Sequence, residues 1–276
     1  MTINLDGNLM DFSVPKIMGI LNLTPDSFYD GGIFNTDKKI LSHVDKMISE
    51  GVDIIDVGGY SSKPGAKNIS LDQELKRVIP YITLIKKNYP EIPISIDTFR
   101  SIVAQKAVEN GANIINDISS GDLDEKMYDV VSNLNVPYIM MHMQGKPADM
   151  QVKPTYKDVV LDVAKTLSKK ISLARSKGII DIIIDPGFGF GKSISHNYNL
   201  LNNLNFFKEL ECPILVGISR KSMIYKVLNT DPKNSLNGTT SLNTISLLKG
   251  ANILRVHDVK QASEVVKLVG FLSSNS

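Results

Sequence analysis

Three residues that end apolar runs, Asp97, Asn116 and Asp185, share a binding chemistry. A carboxylate only accepts hydrogen bonds, whereas an amide both donates and accepts. Gathered in one pocket, they suit a flat heterocycle whose edge presents amino and ring N–H donors. Phe190 and Met140 would supply apolar faces against such a ring. The plainer reading makes the polar three helix caps or part of a carboxylate–lysine ion pair, with both apolar side chains in the core.

A second set is basic. Arg255 and His257 are two residues apart, so on a strand both point to the same side. Asn22 ends the first apolar run. Two cationic or donor groups with one amide oxygen suit a phosphate-bearing ligand and a hydrated magnesium ion. Taken alone, His257 reads equally well as a structural histidine.

Several other motifs fail. Phe190-Gly191-Lys192-Ser193 echoes a P-loop, but the first glycine of that pattern falls on Pro186. Gly187, Gly189 and Gly191 have G-x-G-x-G spacing, which is not the dinucleotide fingerprint. The four histidines are scattered, and no serine sits in a nucleophile elbow. Cys212 is the single cysteine, which excludes an internal disulfide and a Cys-based zinc site.

The elements that must position these residues are legible from periodicity. Eight short apolar runs read as buried parallel strands: Lys16–Leu23, Asp53–Gly58, Ile92–Thr98, Asn113–Ile118, Val136–His142, Asp181–Asp185, Ile214–Ser219 and Asn252–His257. Helical spacing fills most of the gaps, over Ile40–Gly51, Leu71–Tyr89, Ser101–Gly111, Val159–Gly178, Tyr198–Leu210, Gly238–Gly250 and Val259–Leu272. Gly51, Gly111, Gly178 and Gly250 stand where left-handed helix caps are needed. Eight strand–helix units in 276 residues, with no linker or low-complexity segment, predict an α/β fold, a single (β/α)8 TIM barrel over residues 1–276. A doubly wound open sheet is the rival. In a barrel the polar strand ends meet at one face, where function resides.

Composition is that of a globular protein, 42% hydrophobic and 22% charged. Lys+Arg 31 against Asp+Glu 29 leaves a net charge of +2, which argues against a nucleic-acid partner. The opening MTINLDGNLMDFSV lacks a signal peptide's basic start and apolar core, and runs such as Val136–Met141 fall far short of the roughly 18–20 residues that span a bilayer. A soluble cytoplasmic protein with no membrane partner is expected.

From about Pro15 to Leu272 the chain resembles the dihydropteroate synthase family of pterin-binding TIM barrels. The matching segments are Met18-Gly19-Ile20-Leu21-Asn22-Leu23-Thr24-Pro25-Asp26-Ser27-Phe28, Asp56-Val57-Gly58-Gly59, Ser95-Ile96-Asp97-Thr98, Ile115-Asn116-Asp117, Asp185 through Lys192, Ser219-Arg220-Lys221-Ser222 and Arg255-Val256-His257-Asp258. The resemblance implies a transferase of folate biosynthesis and a sulfonamide target. Its substrates would be 6-hydroxymethyl-7,8-dihydropterin diphosphate and p-aminobenzoate, and its products 7,8-dihydropteroate and pyrophosphate. Carried over by motif, Asp97, Asn116, Asp185 and Lys221 would hold the pterin, with Met140 and Phe190 against its ring. Phe28, Ser62, Lys63, Pro64, Phe190 and Ser222 would shape the p-aminobenzoate site. Asn22, Ser62, Lys63, Arg255 and His257 would hold the diphosphate, with Mg2+ on Asn22. Asp97, Lys63, Lys221, Arg255 and His257 would carry catalysis, and the family implies a homodimer. Ser61-Ser62-Lys63-Pro64-Gly65 departs from the family's Ser-Thr-Arg-Pro-Gly: Lys63 keeps the charge and loses the planar fork. Tyr60 stands where an acidic or amide residue is common. The rivals are a pterin-dependent methyltransferase, which needs no diphosphate clamp, and a pterin-binding relative without catalysis.

Overall fold

The computed structural model describes residues 1–23, 33–60, 69–145, 150 and 154–275. Its central sheet has eight parallel strands: β3 (Lys16–Asn22), β4 (Ile54–Gly58), β5 (Ile94–Asp97), β6 (Ile114–Asp117), β7 (Tyr138–Met141), β8 (Ile182–Asp185), β9 (Leu215–Val216) and β10 (Ile253–Val256). They pair in the order β8-β7-β6-β5-β4-β3-β10-β9. A parallel bridge between Ile184 and Ile214, with Ile184 N donating to Pro213 O at 2.9 Å, closes β8 on β9. The result is the expected barrel, and the open sheet is excluded.

Strand alternation divides the core into two. Ile17, Leu21, Ile55, Val57, Ile94, Ile96, Ile115, Tyr138 and Met140 face outward and pack against the helices. Met18, Ile54, Ile114, Ile139, Ile183, Leu215 and Ile253 face inward and form the barrel floor with Ile3, Leu5 and Phe12. Ile3 and Leu5 come from an antiparallel hairpin, β1 (Thr2–Leu5) and β2 (Asn8–Asp11), and Phe12 directly follows it; together they close the bottom of the barrel. The hairpin's turn is Asp6-Gly7, with φ of 50° and 86°. Positive φ at both central residues is what a tight hairpin requires. Periodicity does not announce this hairpin, because four-residue strands with partly exposed ends give little periodic signal.

Around the sheet lie α1 (Ile33–Ser49), α2 (Leu71–Asn88), α3 (Ser101–Glu109), α4 (Met127–Leu134), α5 (Val159–Ser176), α6 (Ile194–Asn202), α7 (Ser222–Tyr225), α8 (Leu236–Leu248) and α9 (Val259–Ser274). The expected helix Tyr198–Leu210 is two pieces, α6 and a 3-10 turn over Leu204–Leu210. The eight-residue α4 was not foreseen. Gly51, Gly111, Gly178 and Gly250 all have φ between 89° and 110°, as cap positions demand.

Candidate active site

Inward parity continues from the floor to the C-terminal strand ends. The register places Asn22 opposite Gly58, Gly58 opposite Asp97 and Asp97 opposite Asn116. The upper layer of the barrel is therefore polar. Asp56, Asn116 and Asp185 are buried there, and Asp97 and Arg255 nearly so.

Arg255 is the centre of this layer. Its Nε donates to Asp56 Oδ2 at 2.6 Å and its Nη2 to Asp97 Oδ2 at 2.6 Å. Asn116 Nδ2 donates to Asp56 Oδ1 and Oδ2 at 3.3 and 3.2 Å. One guanidinium thus ties β4, β5 and β10 together, and an amide adds β6. Burial pushes the Asp97 carboxyl up to about 7; Arg255 pulls it down, while Asp56, Glu74 and Asp117 add repulsion. Burial also works against charge on Arg255, but Asp56 and Asp97 outweigh it and hold its pKa above the ordinary value.

Asp56 joins this layer although no motif singles it out as a site residue: it lies in an apolar run two residues before Gly58. Its role depends on Arg255, 199 positions away. Asp117, its counterpart on β6, faces outward and is structural. It accepts from Ser119 N, Ser119 Oγ, Gly121 N and Tyr138 Oη at 2.7–2.8 Å.

The expected place of Met140 is corrected. It is fully buried in the outer layer with Tyr138, whereas Ile139 belongs to the barrel floor. Side chains alternate along β7, so Met141 shares the inward face and is the methionine beneath the site. A one-residue step along a strand exchanges the two faces.

The loop after β8 supplies the opposite wall. Asp185 Oδ1 accepts from Gly187 N at 2.7 Å. A Cβ at Gly187, where φ is 74°, would lie 1.9 Å from His142 O, so only glycine fits. Lys221 Nζ donates to Phe188 O at 2.5 Å and lies 4.6 Å from the centroid of the Phe190 ring. Burial lowers Lys221 to about 8, against the pull of Asp185. Burial raises Asp185, and Lys221 draws it back. Asp185 and Lys221 are thus electrostatic partners within this layer.

His257 is exposed, with Nδ1 3.0 Å from Ser219 Oγ, which also accepts from His257 N at 3.2 Å. Ser222 opens the short α7 directly after Lys221 and is half-buried. Arg220 binds Asp258 through Nε and Nη2 at 2.8 and 2.7 Å, tying the loop after β9 to the end of β10. Phe28, Ser62, Lys63 and Pro64 lie outside the described residues.

Arg100 contacts Tyr60 and Ile69, the described residues on either side of 61–68. Its guanidinium meets the fully buried Glu74, donates through Nη2 to Ile69 O at 2.7 Å, and stacks 5.6 Å from the Tyr60 ring and 5.2 Å from Phe99. The unusual Tyr60 is thus one face of an arginine stack. Glu74 also accepts from Thr98 Oγ1 at 2.7 Å. Glu74→Leu strands a mostly buried Arg100 and is expected to cost about 3 kcal/mol in urea unfolding; a loss below about 1 kcal/mol would make the pair a surface interaction.

Pterin binding enzymes as a family match residues 18–257. Dihydropteroate synthase of Escherichia coli strain K12 is 44% identical over 266 residues, covering 95% of this chain and 93% of that protein. The chain belongs to the dihydropteroate synthase family. A Yersinia pestis dihydropteroate synthase, solved as a sulfonamide drug complex, superposes with a TM-score of 0.93 at 38% identity, covering 99% of this chain and 100% of that one. The Xanthomonas albilineans dihydropteroate synthase, solved with 4-aminobenzoic acid, gives 0.92 at 36% identity, covering 99% of this chain and 98% of that one. Family membership makes the chain a transferase of folate synthesis. Among the described residues, no helix is long and apolar enough to cross a membrane.

Proposed function

We propose that the protein condenses 6-hydroxymethyl-7,8-dihydropterin diphosphate with p-aminobenzoate, giving 7,8-dihydropteroate and pyrophosphate. The observation that carries this reading is the inward layer Asp56–Arg255–Asp97–Asn116 facing Asp185 and Lys221. It offers acceptors for the amino and ring N–H groups of a pterin beside cationic groups for a diphosphate. A guanidinium has five N–H donors, and the two carboxylates take two of them, so Arg255 keeps donors for phosphate oxygens.

In the reaction the substrate's C–O bond breaks and its electron pair leaves with the diphosphate. The dihydropterin ring pushes electrons toward the exocyclic methylene, and the Asp97 carboxylate favours the positive charge that develops. Arg255, His257 and Lys63 meet the leaving group. The amine nitrogen of p-aminobenzoate then forms the C–N bond and loses a proton. An arylamine is neutral at pH 7, so no strong general base is required.

A resident Mg2+ fits one kind of site here. Among the described residues no group of three or more His, Cys, Asp or Glu could hold a metal ion. Asn22, inward at the C-terminal end of β3, would hold such an ion through its amide oxygen, the rest of its ligands coming from water and substrate. When bound, Mg2+ supplies charge neutralisation of the diphosphate.

The outer surface supports a homodimer. Ile245 and Leu248 on α8 and Leu268, Phe271 and Leu272 on the adjacent α9 are exposed, Phe271 at 73%. Phe271→Glu is expected to convert a dimer to a monomer in sedimentation at micromolar protein; a dimer unchanged in that variant would place the interface elsewhere.

To test the reaction, labelled p-aminobenzoate is incubated with either the dihydropterin diphosphate or the corresponding alcohol. Label entering a pteroate only with the diphosphate ester supports the reading. Equal incorporation from the alcohol would remove the diphosphate clamp from the account.

A further inference from the structure

Lys192 is a buried lysine to which the reaction above assigns no role. It is 3% exposed, and among the described residues its amine contacts neutral groups: Gly187 O at 2.9 Å, Phe190 O at 3.0 Å, His142 O at 3.3 Å and His142 Nδ1 at 3.0 Å; burial lowers its pKa to about 7, against the pull of Asp185. Burying an ammonium with no carboxylate in contact is costly. A methionine there would withdraw a donor from the carbonyls of His142, Gly187 and Phe190, so the amine organises this loop as well as filling space.

The contacts show what that is. The loop 186–191 turns its carbonyls toward two ammonium groups. Gly187 O and Phe190 O point to Lys192, and Phe188 O points to Lys221. Phe190 N also donates to Gly187 O at 3.1 Å, closing the loop around Lys192. Tyr156 Oη donates to Gly191 O at 2.7 Å and Asn197 Oδ1 accepts from Gly189 N at 2.7 Å, which fixes the remaining peptides from outside. The Nδ1 of His142 faces an ammonium and so accepts; burial first, then Lys192 and Lys170, hold that ring well below the ordinary histidine pKa.

We propose that Lys192 is a positioning residue for the reaction: by drawing the carbonyls of Gly187 and Phe190 inward, it leaves the Phe188 carbonyl and the Phe190 ring aimed at Lys221, and so fixes the Lys221 ammonium over the pterin site. This rests on the pterin assignment of Lys221 and Phe190 above. The P-loop echo at Gly191-Lys192-Ser193 acquires a different meaning, since the lysine binds its own loop's carbonyls.

The test uses Lys192→Met, which removes all donors, and Lys192→Gln, which keeps two N–H donors without charge. Two quantities are read in the full-length protein. The first is the titration midpoint of Lys221, followed by NMR of the lysine side chain without ligand. The second is the Kd of dihydropterin diphosphate by calorimetry with Mg2+. Lys192→Met is expected to move the Lys221 midpoint and raise Kd at least tenfold, and Lys192→Gln to restore part of both. Lys192→Met folded, with wild-type Kd and an unmoved midpoint, overturns the proposal. Loss of folding in both variants also overturns it, by assigning Lys192 to the fold. If wild-type protein does not bind the pterin diphosphate, the functional reading fails, while a shifted Lys221 midpoint still supports the positioning role.

Discussion

Asp97→Asn lowers kcat/KM for the dihydropterin diphosphate by about 100- to 1,000-fold, roughly 3–4 kcal/mol of transition-state stabilisation. The substituted amide is nearly isosteric and still offers Arg255 an oxygen, so the fold persists. Two things go: the acceptor-only edge toward the pterin, and the negative charge opposite the developing cation. The effect has a pH signature. Asp97 is held up to about 7 by burial, so acidification from pH 8 to pH 6 protonates it and pterin binding weakens across that window. In Asp97→Asn this acid limb flattens. Steady-state kinetics at several pH values checks both, and unchanged kcat/KM would take Asp97 out of the site.

Arg255→Met has the larger effect on stability. It leaves Asp56, fully buried, and Asp97 without their cation. Breaking a buried ion pair from one side costs about 3–5 kcal/mol. The sign of the pH dependence follows from the raised Asp97. Its folded pKa lies above the ordinary 3.8, so the folded state binds the proton more tightly. That contribution to stability is complete below the unfolded value and fades as pH rises through about 7. Without the guanidinium the folded pKa rises further, so the variant is destabilised more at pH 8 than at pH 6. Urea unfolding at the two pH values measures this. Equal losses at both would show that the carboxylates carry no buried charge. Activity falls as well, because the diphosphate loses a donor.

The parts legible in the sequence were those that repeat locally. Strand ends announced themselves because each polar residue interrupts an apolar run, and parity put Arg255 and His257 on one side of their strand. Parity also explains the correction at Met140. With Ile139 in the floor, the inward methionine is Met141, but the run Tyr138–Met141 is apolar throughout and its period of two cannot be seen from composition. What stayed hidden was pairing at a distance. Arg255 finds Asp56 and Asp97 at separations of 199 and 158 residues, and Glu74 finds Arg100 only because α2 packs beside the end of β5. The Lys192 hub was hidden for another reason. Its partners are backbone carbonyls, which every sequence has, and only the left-handed glycines at 187, 189 and 191 hinted that the loop curls.

Purified protein mixed with dihydropterin diphosphate, p-aminobenzoate and Mg2+ provides the most direct test, with dihydropteroate and pyrophosphate measured in the same sample. The account predicts that both appear, in equal amounts, and that neither forms when p-aminobenzoate is withheld. Pterin binding with no release of either product would contradict it and leave a pterin-binding relative of the family without its chemistry.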